Sequence, residues 1–257
     1  MLAEERLNKL INILQEDSVG RISELAEHLG VSSMTIRRDL DKLESKGLVR
    51  RIFGGAVIDR DPDSVESSLD ARWLEHQQEK TLVGAAAARL IQDGDKVILD
   101  AGSTTLYLAK HLHGRRSITL VTHSLPVLWE LTGDSTIDLV ALGGEANHEQ
   151  KYFYGPLTES ALRQMRIDKV FLGIHGIQAE HGLSERTFTD IPLKRIFMDI
   201  SRELIVLADS SKIGKASFFR LCDVSEVDKL VTDASADREE IRKLEQAGLE
   251  VIVACGT

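Results

Sequence analysis

Leu7, Leu10, Ile11 and Leu14 recur at spacings of three and four, which places them on one face of a helix over residues 3–16. A break at Asp17-Ser18-Val19-Gly20 follows, then a second short apolar face of Ile22, Leu25, Ala26 and Leu29. Ser23 is its expected N-cap and Gly30 its end. Val31 enters a turn, and Ser32 or Ser33 caps a third helix that turns Ile36, Leu40 and Leu43 inward until Gly47 stops it. Next, LVRRIFGGAVI alternates apolar and basic residues about Gly54 and Gly55, the pattern of a small hairpin or wing. Asp59 to Ser68 is polar, contains Pro62 and shows no apolar period, so it reads as a connection between modules.

A helical stretch is expected from Leu69 to Ile91, with Ala85 to Ala88 as a close-packing face. The period then changes. Short apolar runs recur at Lys96–Asp100, Ser117–Val121, Ile137–Leu142, Lys169–Ile174 and Leu204–Ala208, each followed by small or polar residues. Strands alternating with helices imply a mostly parallel sheet with crossover helices. The fold class expected is therefore α/β: an N-terminal winged helix-turn-helix joined to a mostly parallel, Rossmann-like sheet domain. The divisions are residues 1–58, a linker at 59–72, and 73–257.

Composition narrows the function. No apolar stretch approaches the length of a membrane span and no leader is visible at MLAEERLNKL, so a cytoplasmic chain with no membrane partner is expected. Cys222 and Cys255 stand far apart, which disfavours a disulfide framework and a cysteine zinc site. His111 and His113 sit two apart and point to different helix faces, so no metal site and no cofactor are expected. The net charge of −9 opposes generic binding to polyanions, and any nucleic-acid contact has to be local. Such a locality exists: Val31 to Phe53 carries six bases and three acids.

Helix, tight glycine-containing turn, helix is the pattern of a DNA-reading helix-turn-helix. With Ile36, Leu40 and Leu43 inward, Ser33, Thr35, Arg37, Arg38 and Lys42 occupy outer faces, and the wing offers Arg50 and Arg51 to the backbone. Hydroxyls and guanidiniums can take phosphate or base edges, and the spacing leaves open which does which. Taken alone, Arg37 and Arg38 could equally form an ordinary solvated helix face.

A second anion site is suggested in the larger domain. Asp100 ends a strand, and Gly102, Ser103, Thr104 and Thr105 open a helix whose first N–H groups and dipole favour phosphate. The same letters also make an ordinary N-cap. Loops after the other strands bring His123, Ser124, Gly143, Gly144 and Glu145 to the same sheet end. Asp209-Ser210-Ser211-Lys212-Ile213-Gly214 adds a carboxylate, a lysine and a glycine. Lys212 suits phosphate, and Asp100 or Asp209 suits sugar hydroxyls, although a surface lysine and a turn cap would look the same. His175 is a further strand-end group, Asp190 reads as a helix cap with Pro192 in the first turn, and Lys194 shares its side. Trp73 and Trp129 read as core or interface anchors.

The run VSSMTIRRDLDKLESKGLVRRIFGGA resembles the winged helix-turn-helix of DeoR-type bacterial transcriptional regulators. The resemblance continues through Arg72, Glu79, Lys80, the Asp100–Thr105 loop, Leu142–Glu145 and the Asp209–Gly214 loop. It implies DNA contact by the TIRRDL positions other than buried Ile36 and Leu40. It also implies a C-terminal domain similar to ribose-phosphate isomerases that senses a phosphorylated sugar or related metabolite. His123 stands where such regulators often have Asn, and Asp190 where Glu is common, which bears on effector identity. The expected function is thus a sugar-responsive repressor of a carbohydrate catabolic operon, not an enzyme, with double-stranded operator DNA, a small phosphorylated effector and a homodimeric or homotetrameric assembly. The alternative is a sugar-phosphate isomerase using Asp100 or Glu145 as base, for which a basic helix-turn-helix has no use.

Overall fold

The structure, a computed structural model, describes residues 3–17, 19–45, 49–52, 55–57 and 69–255, arranged as two compact units, Met1–Glu75 and His76–Thr257. In the first unit, α1 (Ala3–Asp17) buries Leu10, Ile11 and Leu14, as its three-four spacing demands. The expected break forms a short strand, β1 (Val19–Arg21), at whose centre a Cβ on Gly20 would stand 2.6 Å from Leu14 Cδ2. β1 runs directly into α2 (Ile22–Leu29), so Arg21 is the N-cap position and Ser23 lies inside the first turn. The expected Ser23 cap is thereby corrected: the ladder sets the chain's entry here, and no side chain caps the helix. Gly30 closes α2 in the left-handed conformation at φ 63°, the role expected of it.

Helix α3 (Ser33–Ser45) begins at a true cap, since Ser32 Oγ accepts the Thr35 N–H at 3.1 Å. Its Ile36, Leu40 and Leu43 are buried with Leu25, Ala26, Val49 and Ala56 in the unit's core. Strands β2 (Arg50–Ile52) and β3 (Gly55–Val57) pair antiparallel, and β1 joins on the other side of β3 to make a three-stranded wing sheet. Gly47, Gly54 and the connection at 59–68 lie outside the described residues. The helix expected over 69–91 is two helices, α4 (Leu69–Leu74) and α5 (Gln77–Ala88), because the backbone at His76 turns left-handed at φ 51° and cannot continue the helix.

The second unit is built on seven strands in the order β15-β14-β12-β9-β4-β5-β6, every neighbouring pair parallel. These are β4 (Lys96–Leu99), β5 (Thr119–Thr122), β6 (Asp138–Ala141), β9 (Ile167–Gly173), β12 (Ser201–Leu207), β14 (Lys229–Asp233) and β15 (Glu250–Ala254). Helices α6 (Ser103–Lys110), α7 (Leu125–Leu131), α8 (Pro156–Leu162), α9 (Asp190–Ile200) and α10 (Arg238–Gln246) lie between them in sequence. The antiparallel additions are a hairpin, β7 (Glu145–Asn147) with β8 (Tyr152–Tyr154), and a small sheet of β10 (Gly176–Gln178), β11 (Gly182–Glu185) and β13 (Phe219–Cys222).

Ile98, Val170, Leu172, Val206 and Leu230 are buried with Phe197 of α9 in one continuous core. Helices α5 and α6 approach so closely that a Cβ on Gly84 would lie 2.6 Å from the Tyr107 carbonyl carbon. Trp129, read as a core or interface anchor, is 86% exposed on α7 and takes no part in this chain's core. Among the described residues no helix is long and apolar enough to cross a membrane, and no cluster of three metal-ligating side chains occurs.

Candidate nucleic-acid interface and effector crevice

Burying Ile36, Leu40 and Leu43 turns the remaining faces of α3 outward, and Arg37, Arg38, Lys42 and Ser33 are exposed there. Thr35 is half-buried, and its hydroxyl lies 2.9 Å from the Ser32 cap oxygen, so it belongs to the helix start as much as to the surface. Asp39, within the TIRRDL run, is 2% exposed and receives Arg6 of α1, Nε to Oδ2 at 2.6 Å and Nη2 to Oδ1 at 3.2 Å. The DNA contact that the resemblance implied for Asp39 is therefore replaced by a brace between α1 and α3. Arg50 and Arg51 lie in β2, with their side chains outside the described part of the structure.

In the second unit the strand order reverses between β4 and β9, since β5 and β6 continue to one side and β12, β14 and β15 to the other. In an open parallel sheet this is where a crevice forms beyond the carboxyl ends. The loop after β4 meets the end of β9 there, and a Cβ on Gly102 would lie 4.0 Å from Gly173 Cα. Helix α6 starts at this point with Gly102 as N-cap and no side-chain cap, so its first amides are left to other partners. Ser103 and Thr104 are buried at the start of that helix. Thr105 is turned inward, its hydroxyl donating to Asp100 O at 2.7 Å and Gly102 O at 3.0 Å, which holds the loop closed.

Asp100 is 1% exposed and surrounded by donors. Its Oδ2 accepts the Gly173 N–H at 3.2 Å and lies 3.3 Å from Lys194 Nζ. Burial pushes its pKa up, but the Lys194 ammonium and then His123 outweigh that and hold the carboxyl below its ordinary range. Lys194 also donates to Glu185 Oε1 at 2.5 Å and to Gly173 O at 2.7 Å. Burial lowers the lysine's pKa less than Asp100, Glu185 and Asp190 raise it. Glu185 is fully buried, and its other oxygen meets His175 Nδ1 at 2.5 Å. It too ionises more readily than an ordinary glutamate, because Lys194 and His175 together exceed the burial penalty.

His123 is 2% exposed, with Nδ1 donating to Phe153 O at 2.8 Å. Its Nε2 faces both Ala101 N–H at 3.1 Å and Asp100 Oδ1 at 3.2 Å. Ser124 is buried and caps α7, its hydroxyl accepting the Val127 N–H at 3.5 Å. Gly143 and Glu145 are exposed, and a Cβ on Gly144 would strike Tyr154 O at 2.4 Å, so the hairpin's approach requires glycine. Asp190, expected as a helix cap, follows Thr189 at the cap position. Its carboxylate instead accepts from the Tyr152 hydroxyl and, at 2.9 Å, from Thr187, because the β8 hairpin brings Tyr152 against it.

Asp209 is 1% exposed, its Oδ1 accepting from Ser211 N–H at 3.0 Å while Oδ2 is buried without a hydrogen bond. Burial raises its pKa, and Lys212, Ser211, Lys80 and His76 more than reverse this. Lys80 is thus a buried cation near this loop, although a lysine within the entry helix reads from sequence as an ordinary helix position. Glu185 was likewise missed. Nothing in its spacing announces it, because the antiparallel strand that buries it pairs with residues far along the chain.

A winged helix-turn-helix with a basic stretch from Val31 to Phe53 and a Rossmann-like unit with polar residues gathered at its switch point define a DNA-binding transcription regulator with a sensor domain. The chain belongs to the DeoR family. The DeoR-like helix-turn-helix domain matches residues 6–61, and the DeoR C terminal sensor domain matches residues 75–234. The chain is 32% identical over 250 residues to a putative aga operon transcriptional repressor of Escherichia coli O157:H7, covering 97% of this chain and 93% of that protein. It is 33% identical to the HTH-type transcriptional repressor GlcR of Bacillus subtilis (strain 168), covering 98% and 97%. It is also 33% identical to the transcriptional repressor AccR of Agrobacterium fabrum, covering 90% of each.

Proposed function

We propose that this regulator is a cytoplasmic repressor of a carbohydrate catabolic operon, released from operator DNA when a phosphorylated sugar or related metabolite enters the β4/β9 crevice. The observation that carries the effector reading is the uncapped start of α6 at the strand-order reversal, with Ser103 and Thr104 in its first turn. Backbone amides at a helix start suit a phosphoester. Lys212 and Lys80 supply cations, His123, Ser124, Gly143, Gly144, Glu145 and Asp209 form the polar surroundings of the sugar, and Asp100 forms the floor beneath them. On the DNA side Ser33, Thr35, Arg37, Arg38, Lys42, Arg50 and Arg51 make the contacts. Residues 59–72 link the two activities, and α4 begins within that span. The word repressor in the names of the relatives supports the sign of regulation.

A second copy of the chain completes the reader, because one small helix-turn-helix contacts few base pairs and two-fold assemblies read paired half-sites. The isomerase alternative is weakened at Asp100, whose carboxylate is buried and made a weaker base by the Lys194 ammonium beside it. Release by effector is a difference in its affinity for the two states of the protein, and a 100-fold loss of operator affinity corresponds to ~2.7 kcal/mol of coupling.

A gel shift of the intact chain on the promoter region of its own gene, with and without a panel of sugar phosphates, tests this directly. Salt-sensitive binding relieved by a phosphorylated sugar is expected. Absence of binding, or turnover of pentose phosphates at enzymic rates, would overturn it.

A further inference from the structure

The flank of α3 that faces α1 encloses a cleft of about 400 Å³ lined by Arg6, Thr35, Arg38, Asp39, Asp41 and Lys42. Arg38 and Lys42 stand four residues apart on the helix, hence on one side of it, and both are exposed. Arg6 and Asp39 satisfy each other at the inner wall. Arg38 and Lys42 bring two exposed cations to the outer wall. Arg37 does not line this cleft; it stands about 100° round the helix from Arg38, between Ser33 and Asp41, each four residues away.

We propose that the cleft is a phosphate seat, in which Arg38 and Lys42 hold one backbone phosphodiester of duplex DNA, and that this fixes the helix in register so that Arg37 meets base edges. The assignment rests on the DNA-binding reading above and divides its labour. The Arg6–Asp39 brace sets the depth of the seat by holding α1 against the base of Arg38. A phosphate contact is indifferent to sequence, whereas a base-edge contact is felt only on the sequence it reads.

The test begins with a duplex selected by the intact chain from a randomised pool and a scrambled duplex of equal length. Affinities of wild type, Arg38→Ala, Lys42→Ala, Arg38→Lys, Arg37→Ala and Arg37→Lys are then measured on both across a salt series. The seat predicts that Arg38→Ala and Lys42→Ala weaken both duplexes by the same factor and lower the salt slope by about one each. Arg38→Lys stays within about threefold of wild type, because a single cation is retained. Arg37→Ala loses ~5- to 150-fold on the selected duplex alone, and Arg37→Lys falls between it and wild type on that duplex. If Arg38→Lys erases the preference for the selected duplex, or Arg38→Ala spares the scrambled one, the assignment is wrong while the DNA-binding reading stands. Failure of wild type to bind any duplex overturns both. All the substituted side chains are exposed, so the variants fold.

Discussion

The two charged regions of this protein are built on opposite plans. On α3 the arginines 37 and 38 stand in water, and the folding of their unit rests on Leu40, Ile36 and Leu43 beneath them. At the sheet end of the second unit Asp100 and Glu185 are sealed from water and share the Lys194 ammonium between them, over 2.5 to 3.3 Å. Exposed charge is screened and contributes little to stability, so it is available to a polyanion. Buried charge is committed to its partners, so it fixes the floor of a crevice and leaves ligand contact to the helix start and the loops above it. The comparison separates what holds each site in shape from what meets the ligand.

Lys194→Met breaks that separation hardest. It strands two buried carboxylates and should cost ~3–5 kcal/mol, read as a lowered melting temperature of the intact chain. An unchanged melt would mean that the network is not structural. Leu40→Ala, under the arginines, should cost ~2–5 kcal/mol by opening a cavity. Gly84→Ala forces α5 from the Tyr107 backbone and should cost ~1–3 kcal/mol, measurable by denaturant titration.

Acid acts on the buried region through its carboxylates. Asp100 and Glu185 have folded pKa values below their unfolded ones, so their contribution is complete above ~pH 5 and is lost as pH falls through the folded values. Lys194, raised above its ordinary value, contributes below ~pH 10 and is lost only in stronger alkali. Melting temperature against pH should therefore show a plateau that breaks on the acid side, and Lys194→Met should remove the break. Ser32→Ala, which removes the α3 cap, should cost ~1 kcal/mol. Smallest of all, Arg37→Ala with Arg38→Ala should change stability by no more than ~0.5 kcal/mol while abolishing DNA binding.

The helix-turn-helix was legible because its signals are local: three-four spacing, a hydroxyl cap at Ser32 and a left-handed Gly30 act within one turn of chain. The parallel sheet was legible as recurring apolar runs, and the runs at β14 and β15 extend it by the same pattern. The β10-β11-β13 sheet was not, since strands of three or four residues with two glycines among them carry no period and pair across long loops. The split at His76 was hidden for a related reason, because the alanine-rich run after it favours helix throughout and only the local backbone turn interrupts it. At the crevice, strand, small-residue loop and helix start could be read together around Asp100. The network around it could not: Lys194 of α9 meets it and is met in turn by Glu185 of β11, and only the folded arrangement says that Asp100 is held rather than offered.

The most direct measurement follows the anisotropy of a labelled duplex, selected by the intact chain from a randomised pool, while pentose and hexose phosphates and their unphosphorylated sugars are added to wild type and to Lys212→Ala. The account predicts that a phosphorylated sugar releases the duplex from wild type, that its free sugar does not, and that Lys212→Ala binds the duplex normally but has lost the response. Release by a free sugar, with the Lys212→Ala response intact, would contradict it.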